Sequence, residues 1–202
     1  MNPIIYIVDD DPSVRHGLST LLEVSGYSVE TFESGESLLQ RKPAGYGCIL
    51  LDVRMQGMDG LQVQEALKDQ LNTLPIIFLT AFGDVSRIVR AVKDGAEDYF
   101  IKPVDGDILL DRIQQVLKDF EIRLEIALDR KAFIEKLNAL TDREHEVLRQ
   151  SVNGMSCKDI GLKLGLSHRT VELHRSHICS KLGIANFSEL FRLGSKFGSI
   201  FD

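Results

Sequence analysis

No stretch of this 202-residue chain approaches the roughly 20 consecutive apolar residues that a membrane-spanning helix needs, and no membrane partner is expected. Cysteine is scarce. Cys48, Cys157 and Cys179 are odd in number, far apart and without a C-x-x-C pair, which weakens both a disulfide and a zinc reading. Met-Asn-Pro-Ile-Ile-Tyr runs straight into an apolar segment, so no secretion signal is expected. These absences describe a reduced, cytoplasmic protein. Glycine and proline are missing altogether from Asp107 to Leu140. A strong basic excess is missing too: the net charge is −6.

That charge is unevenly spread. Residues 1–118 hold 11 Lys/Arg against 18 Asp/Glu, whereas residues 141–202 hold 9 against 7 and carry four of the five histidines. The front is acidic; the back could approach a polyanion through local placement rather than bulk charge. With 44% hydrophobic and 27% charged residues, the chain has enough apolar side chains for real cores.

Four apolar runs in the first half each end in a polar residue. Ile4–Val8 leads into Asp9 and Asp10, Cys48–Leu51 into Asp52, Ile76–Leu79 into Thr80, and Tyr99–Ile101 into Lys102. As parallel strands of one sheet, they would bring three carboxylates, a hydroxyl and an ammonium to one edge. Open α/β sheets place ligands there. Oxygen ligands for Mg²⁺ beside a lysine suit phosphate chemistry.

The spacing predicts strands at 4–8, 28–32, 48–52, 75–79 and 98–101, with helices starting near Pro12, Gly35, Leu61, Val85 and Asp107. Five such units with buried, aliphatic strands predict a doubly wound parallel sheet. Apolar residues at 109, 113, 116, 117, 120, 124 and 128, then 133, 137 and 140, form a stripe. It fits one long helix, or a last sheet-domain helix plus a helical connector. The last 62 residues predict four short helices. Their starts are Thr141-x-x-Glu144, Ser156-x-x-Asp159, Ser167 and Asn186-x-x-Glu189, and Gly165-Leu166-Ser167 has the length of a helix-turn-helix turn.

Winding residues 168–182 at about 100° per residue puts Val171, Ile178 and Leu182 on one arc and Arg169, Glu172, Leu173, Ser176, His177 and Ser180 on the other. A polar outer face with one leucine suits a DNA major groove. Glu172 could accept from a cytosine amino group and Leu173 could contact a thymine methyl. Arg169, Arg175, Lys181 and Lys158 are assigned to phosphates, and His174 to packing or orientation.

These motifs resemble, over essentially the whole chain, a two-component response regulator of the FixJ/NarL class: a receiver followed by a LuxR-type DNA-binding domain. The receiver likeness rests on Asp9-Asp10, Asp52 with Met55-x-x-Met58-x-Gly60, Thr80-Ala81 and Lys102-Pro103. The output likeness rests on Leu140-Thr141-x-Arg143-Glu144-x-Glu146-Val147-Leu148, Lys158-Asp159-Ile160, Ser167-x-x-Thr170-Val171-x-x-His174 and Lys181-Leu182. Gln56 departs from the pattern, standing where the family usually has proline, and is expected to loosen the loop after Asp52.

The resemblance implies a flavodoxin-like receiver at 1–118, a helical linker at 119–138 and an all-α helix-turn-helix domain at 139–202. It implies that Asp52 is the phosphoacceptor for a sensor histidine kinase. Mg²⁺ would be held by Asp10, Asp52 and the backbone carbonyl of Arg54, with Asp9 acting through a water. Thr80 and Lys102 would hold phosphoryl oxygens, and Thr80 with Tyr99 would form the switch. Arg54 and Phe82 are expected to tune phosphate lifetime. Thr170 joins the DNA-binding set, promoter DNA and RNA polymerase are the expected partners, and phosphorylation either releases the output domain or drives a homodimer. No ordinary enzyme activity is expected.

Two alternatives remain open at this point. Asp9-Asp10-Asp11-Pro12-Ser13 loosely fits the nucleophile loop of a haloacid-dehalogenase-type phosphatase, although Asp52 and the last 62 residues would then lack a role. The C-terminal helices also fit a generic interaction module. His16 is assigned to the surface, and Asp11 to a helix cap.

Overall fold

Aliphatic runs bounded by turn residues become strands: Ile4–Val8 (β1), Ser28–Phe32 (β2), Gly47–Asp52 (β3), Ile76–Thr80 (β4) and Asp98–Ile101 (β5). The computed structural model describes residues 2–70, 73–81 and 85–197. All strand pairs are parallel, in the order β2-β1-β3-β4-β5. β3 and β4 are buried along their whole length, while β2 and β5, at the edges, are only partly covered. The fourth strand lies one residue later than the spacing predicts. Pro75 only lends its carbonyl to the Ile49 N–H (2.9 Å), and Thr80 joins the ladder opposite Ile101.

The helices between them are Pro12–Val24 (α1), Gly35–Arg41 (α2), Gly60–Asp69 (α3), Val85–Lys93 (α4) and Gly106–Asn138 (α5). Asp11 caps α1, its side chain accepting the Ser13 N–H at 2.8 Å, and Pro12 fills the first turn where no N–H is needed. One side of the sheet packs Ile5, Ile7, Cys48, Leu50, Ile77 and Leu79 against Leu22 of α1 and Leu109, Ile113 and Val116 of α5. The alternating residues Tyr6, Val8, Ile49, Leu51 and Phe78 are equally buried on the other side, where Leu38, Val63 and Leu67 of α2 and α3 are also covered.

The open question about the long stripe is settled in favour of one helix, since α5 runs 33 residues without interruption. The absence of glycine and proline removes every local reason to break it. By contact density the chain divides into Met1–Ile122 and Arg123–Asp202.

In the second unit, Phe133 and Leu137 share a core with Val147 and Leu148 of α6 (Asp142–Val152), Ile160 of α7 (Cys157–Leu164) and Val171, Ile178 and Leu182 of α8 (His168–Leu182). Leu190 of α9 (Phe187–Phe197) completes it. The expected caps form at Thr141, Ser156 and Ser167. Gly165 closes α7 with φ +68°, the left-handed conformation that lets the chain turn sharply into α8. α9 starts at Phe187, directly after Asn186, as expected. The Glu189 carboxylate accepts the Ala185 N–H at 2.8 Å, and its own N–H donates to the Asn186 carbonyl at 3.1 Å.

At the start of α3 the backbone runs against the end of β3. A methyl group on Gly60 would lie 2.3 Å from the Asp52 carbonyl oxygen and 3.0 Å from the Phe78 ring. Gly60→Ala is therefore expected to destabilise the first unit by about 1–3 kcal/mol, read as a lowered urea midpoint with unchanged slope.

Candidate functional site

The strand order reverses between β1 and β3, and the candidate residues gather at that crevice. Asp9 follows β1 and is fully buried; Asp52 ends β3 and is nearly so; Asp10 is exposed. One carboxylate oxygen from each lies within 4.8 Å of the others. Lys102, following β5, places its Nζ 2.6 Å from Asp9 Oδ2 and 3.2 Å from Asp52 Oδ1. Thr80 is buried at the end of β4, and its carbonyl accepts the Lys102 N–H at 2.7 Å. Its hydroxyl donates to the Ala81 carbonyl at 3.2 Å.

Electrostatics follow from this crowding. Burial pushes the Asp52 carboxyl above its ordinary pKa; Lys102 opposes that, and the neighbouring Asp9 adds to it. The main chain of Arg54 also hydrogen-bonds Asp52 and favours its charge. Burial disfavours charge on Lys102, but its hydrogen bond to Asp9 and the charges of Asp52 and Asp9 prevail, leaving its pKa raised. An all-oxygen, anionic donor set of this kind is compatible with Mg²⁺.

Tyr99 on β5 is 41% exposed and points away from the core. His16 is on the surface of α1, as expected. Phe82 lies outside the described residues. Gln56, expected to loosen the loop after Asp52, donates its N–H to Asp10 Oδ2 at 3.1 Å, a bond that proline could not make.

In the second unit, α8 buries Val171, Ile178 and Leu182 and exposes Arg169, Glu172, Leu173, Ser176, His177 and Ser180. Leu173 is 55% exposed. Lys158 is exposed on α7. Thr170 is held at the cap, its hydroxyl 2.7 Å from that of Ser167. His174 is half-buried, in keeping with a packing role.

Two of the cations assigned to phosphates also make contacts within the fold. The Arg175 guanidinium stacks 4.3 Å over the Phe187 ring and donates to Cys157 Sγ at 3.2 Å. Lys181 pairs with the buried Glu144 at 2.7 Å. Arg175 is half-buried, whereas the Lys181 side chain stays 41% exposed.

Comparison with known proteins agrees with both halves. The family described as response regulator receiver domain matches residues 5–114, and that described as bacterial regulatory proteins, luxR family, matches residues 138–193. The chain belongs to the response-regulator family, with a LuxR-type DNA-binding domain. It is 40% identical over 187 residues to the transcriptional regulatory protein TdiR of Thauera aromatica, covering 92% of this chain and 82% of that one. It is 32% identical over 199 residues to the transcriptional regulatory protein FixJ of Bradyrhizobium diazoefficiens, covering 98% and 97%. Among solved structures, the response regulator StyR aligns with TM-score 0.84 and 37% identity, over 97% of this chain and 100% of that one.

Membership in this family leaves the phosphatase and generic-module alternatives without support, and it makes the chain a transcription regulator. No helix among the described residues is long and apolar enough to cross a membrane.

Several supporting residues of this response regulator went unnoticed in the sequence. Arg15 donates to the Asp9 carbonyl at 2.6 Å, and Glu36 accepts the Met58 N–H at 3.1 Å. Arg143 reaches the Leu164 carbonyl at the end of α7. Arg143 stands in the motif that opens the output domain, but its partner on α7 was not readable there; Arg15 and Glu36 belong to no local pattern.

Glu144 shows how such ties respond to pH. Burial pushes its carboxyl up, but Lys181 and the Thr141 N–H and hydroxyl outweigh burial and hold it at about 2, below the ordinary 4.5. A depressed folded-state value stabilises above the unfolded pKa and loses that contribution as pH falls. The second unit should weaken between pH 4.5 and about 2, and Glu144→Gln should flatten that part of its thermal-melt profile.

Proposed function

We propose that Asp52 of this response regulator accepts a phosphoryl group from the phosphohistidine of a sensor kinase, and that this controls promoter binding through α8. The observation carrying the reading is the convergence of Asp9, Asp10 and Asp52 around the Lys102 ammonium at the strand tips. A carboxylate oxygen of Asp52 would attack phosphorus in line as the phosphorus–nitrogen bond breaks and the histidine ring keeps the electron pair. Residues 1–118 would form the receiver, 119–138 the linker and 139–202 the output domain.

Asp10, Asp52 and the Arg54 carbonyl would hold Mg²⁺ directly, with Asp9 reaching it through water. Bound there, Mg²⁺ supplies positive charge that lowers the repulsion between carboxylate and phosphoryl oxygens. Lys102, held by Asp9 and Asp52 before transfer, would turn to a phosphoryl oxygen once Asp52 is modified. Thr80 would exchange its bond to the Ala81 carbonyl for another phosphoryl oxygen. That shift would let the exposed Tyr99 turn inward, coupling the local charge to the surface of α4 and β5. Arg54, exposed beside the site, would influence how long the phosphate survives.

On the output side, Glu172, Leu173, Ser176 and His177 would face base edges, while Arg169 and Lys158 would contact phosphates and Thr170 would anchor the start of α8. Arg175 and Lys181 would also meet phosphates, from positions fixed by their contacts with Phe187 and Glu144. The exposed Val89, Val92, Tyr99 and Ile101 of α4 and β5 favour a phosphorylation-driven homodimer on two half-sites. A protein acting on promoter DNA and RNA polymerase would work in the cytoplasm.

Asp52→Asn should abolish acid-labile phosphate incorporation from a phosphorylated kinase, while Asp11→Asn should retain it. Retention of that phosphate in Asp52→Asn would refute the reading. In salt-titrated gel shifts with a promoter duplex, Arg169→Ala should reduce the salt slope by about 1, and Leu173→Ala should cost about 1–3 kcal/mol and relax sequence preference.

A further inference from the structure

The three carboxylates of the acidic pocket are restrained by different means. Asp9 is buried and accepts from Lys102 Nζ at 2.6 Å and the Asp11 N–H at 3.0 Å. Asp52 is restrained by Lys102 and by the main chain of Arg54. Asp10 is the exposed member, and among the described residues the donor to its carboxylate is the Gln56 N–H, 3.1 Å from Oδ2. Two residues further on, the Met58 N–H donates to Glu36 Oε1 at 3.1 Å. The loop between β3 and α3 is therefore pinned on one side to the acidic pocket and on the other to α2.

An exposed aspartate without a donor samples several rotamers, and any ligand that uses it must first freeze that motion. A cation shared among three carboxylates meets this cost at Asp10 most of all, because burial already restricts Asp9 and Asp52. The Gln56 N–H occupies one Asp10 oxygen and leaves the other available. We propose that this main-chain N–H is a positioning group for the cation site, holding Asp10 ready to share Mg²⁺ with Asp52. The inference rests on reading the acidic pocket as the Mg²⁺ site.

Only the backbone takes part, so the glutamine side chain is dispensable. Every residue except proline supplies the same N–H at this position. Two substitutions separate the two roles: Gln56→Ala removes the side chain and keeps the donor, and Gln56→Pro removes the donor.

The test is calorimetric titration of the full-length protein with MgCl2 alone, without phosphodonor or DNA. Gln56→Ala should bind within about twofold of the parent chain. Gln56→Pro should bind about two- to tenfold more weakly, the range expected for releasing one immobilised side chain. Unchanged or tighter binding by Gln56→Pro, or equal weakening by Gln56→Ala, overturns the proposal. Absence of Mg²⁺ binding by the parent chain overturns instead the reading of the pocket on which it rests. Should circular dichroism show Gln56→Pro unfolded, amide exchange at residue 56 of the parent chain decides the matter. Protection there supports the proposal, and exchange at the rate of an unstructured loop overturns it.

Discussion

The ammonium of Lys102, lying between Asp9 and Asp52, is the interaction on which the acidic pocket depends. Two carboxylates with almost no solvent access repel each other, and each pays for leaving water. A single cation within hydrogen-bonding distance of both offsets those terms. It can do so because β1 and β3 are neighbours in the sheet while the residue after β5 is carried to the same edge. Asp10 escapes the desolvation cost by remaining exposed, and its orientation comes from a main-chain donor instead.

The C-terminal unit solves a different problem. Its α8 must present one face while staying rigid on the other, and the side chains divide accordingly. Val171, Ile178 and Leu182 bury the inner arc, and Leu173 stands out at 55% exposure. Arg175 and Lys181, cations on the same helix, reach Phe187, Cys157 and Glu144. Glu144 joins the start of α6 to the end of α8, accepting from Thr141 and Lys181 together. The seating of α8 thus draws on charge as well as on packing.

Periodicity made the elements legible. Strands at 4–8, 28–32 and 98–101 lie where alternation and turn residues place them, and the capping boxes mark helix starts within a residue. Convergence of Asp9, Asp10, Asp52 and Lys102 was also readable, because each is the polar stop of an apolar run. Long-range partners were not. Helical winding identifies which face Arg175 and Lys181 flank, but it carries no information about Phe187 or Glu144 on other helices. The hydrogen bond from Gln56 was invisible for a related reason: it belongs to the backbone, and residue identity at that position argues only that a donor exists. The continuity of α5 was undecided because absence of helix breakers permits one helix without requiring it.

Asp9, Asp10, Asp52, Thr80 and Lys102 all sit at the carboxyl ends of strands or immediately beyond them. Outer helical positions such as His16 and Val24 on α1 have no share in that ladder. Mutations can therefore redraw the outside of the helices without disturbing the acidic pocket. The surface that neighbours meet and the pocket that holds charge are thus separate parts of one framework, each free to change without the other.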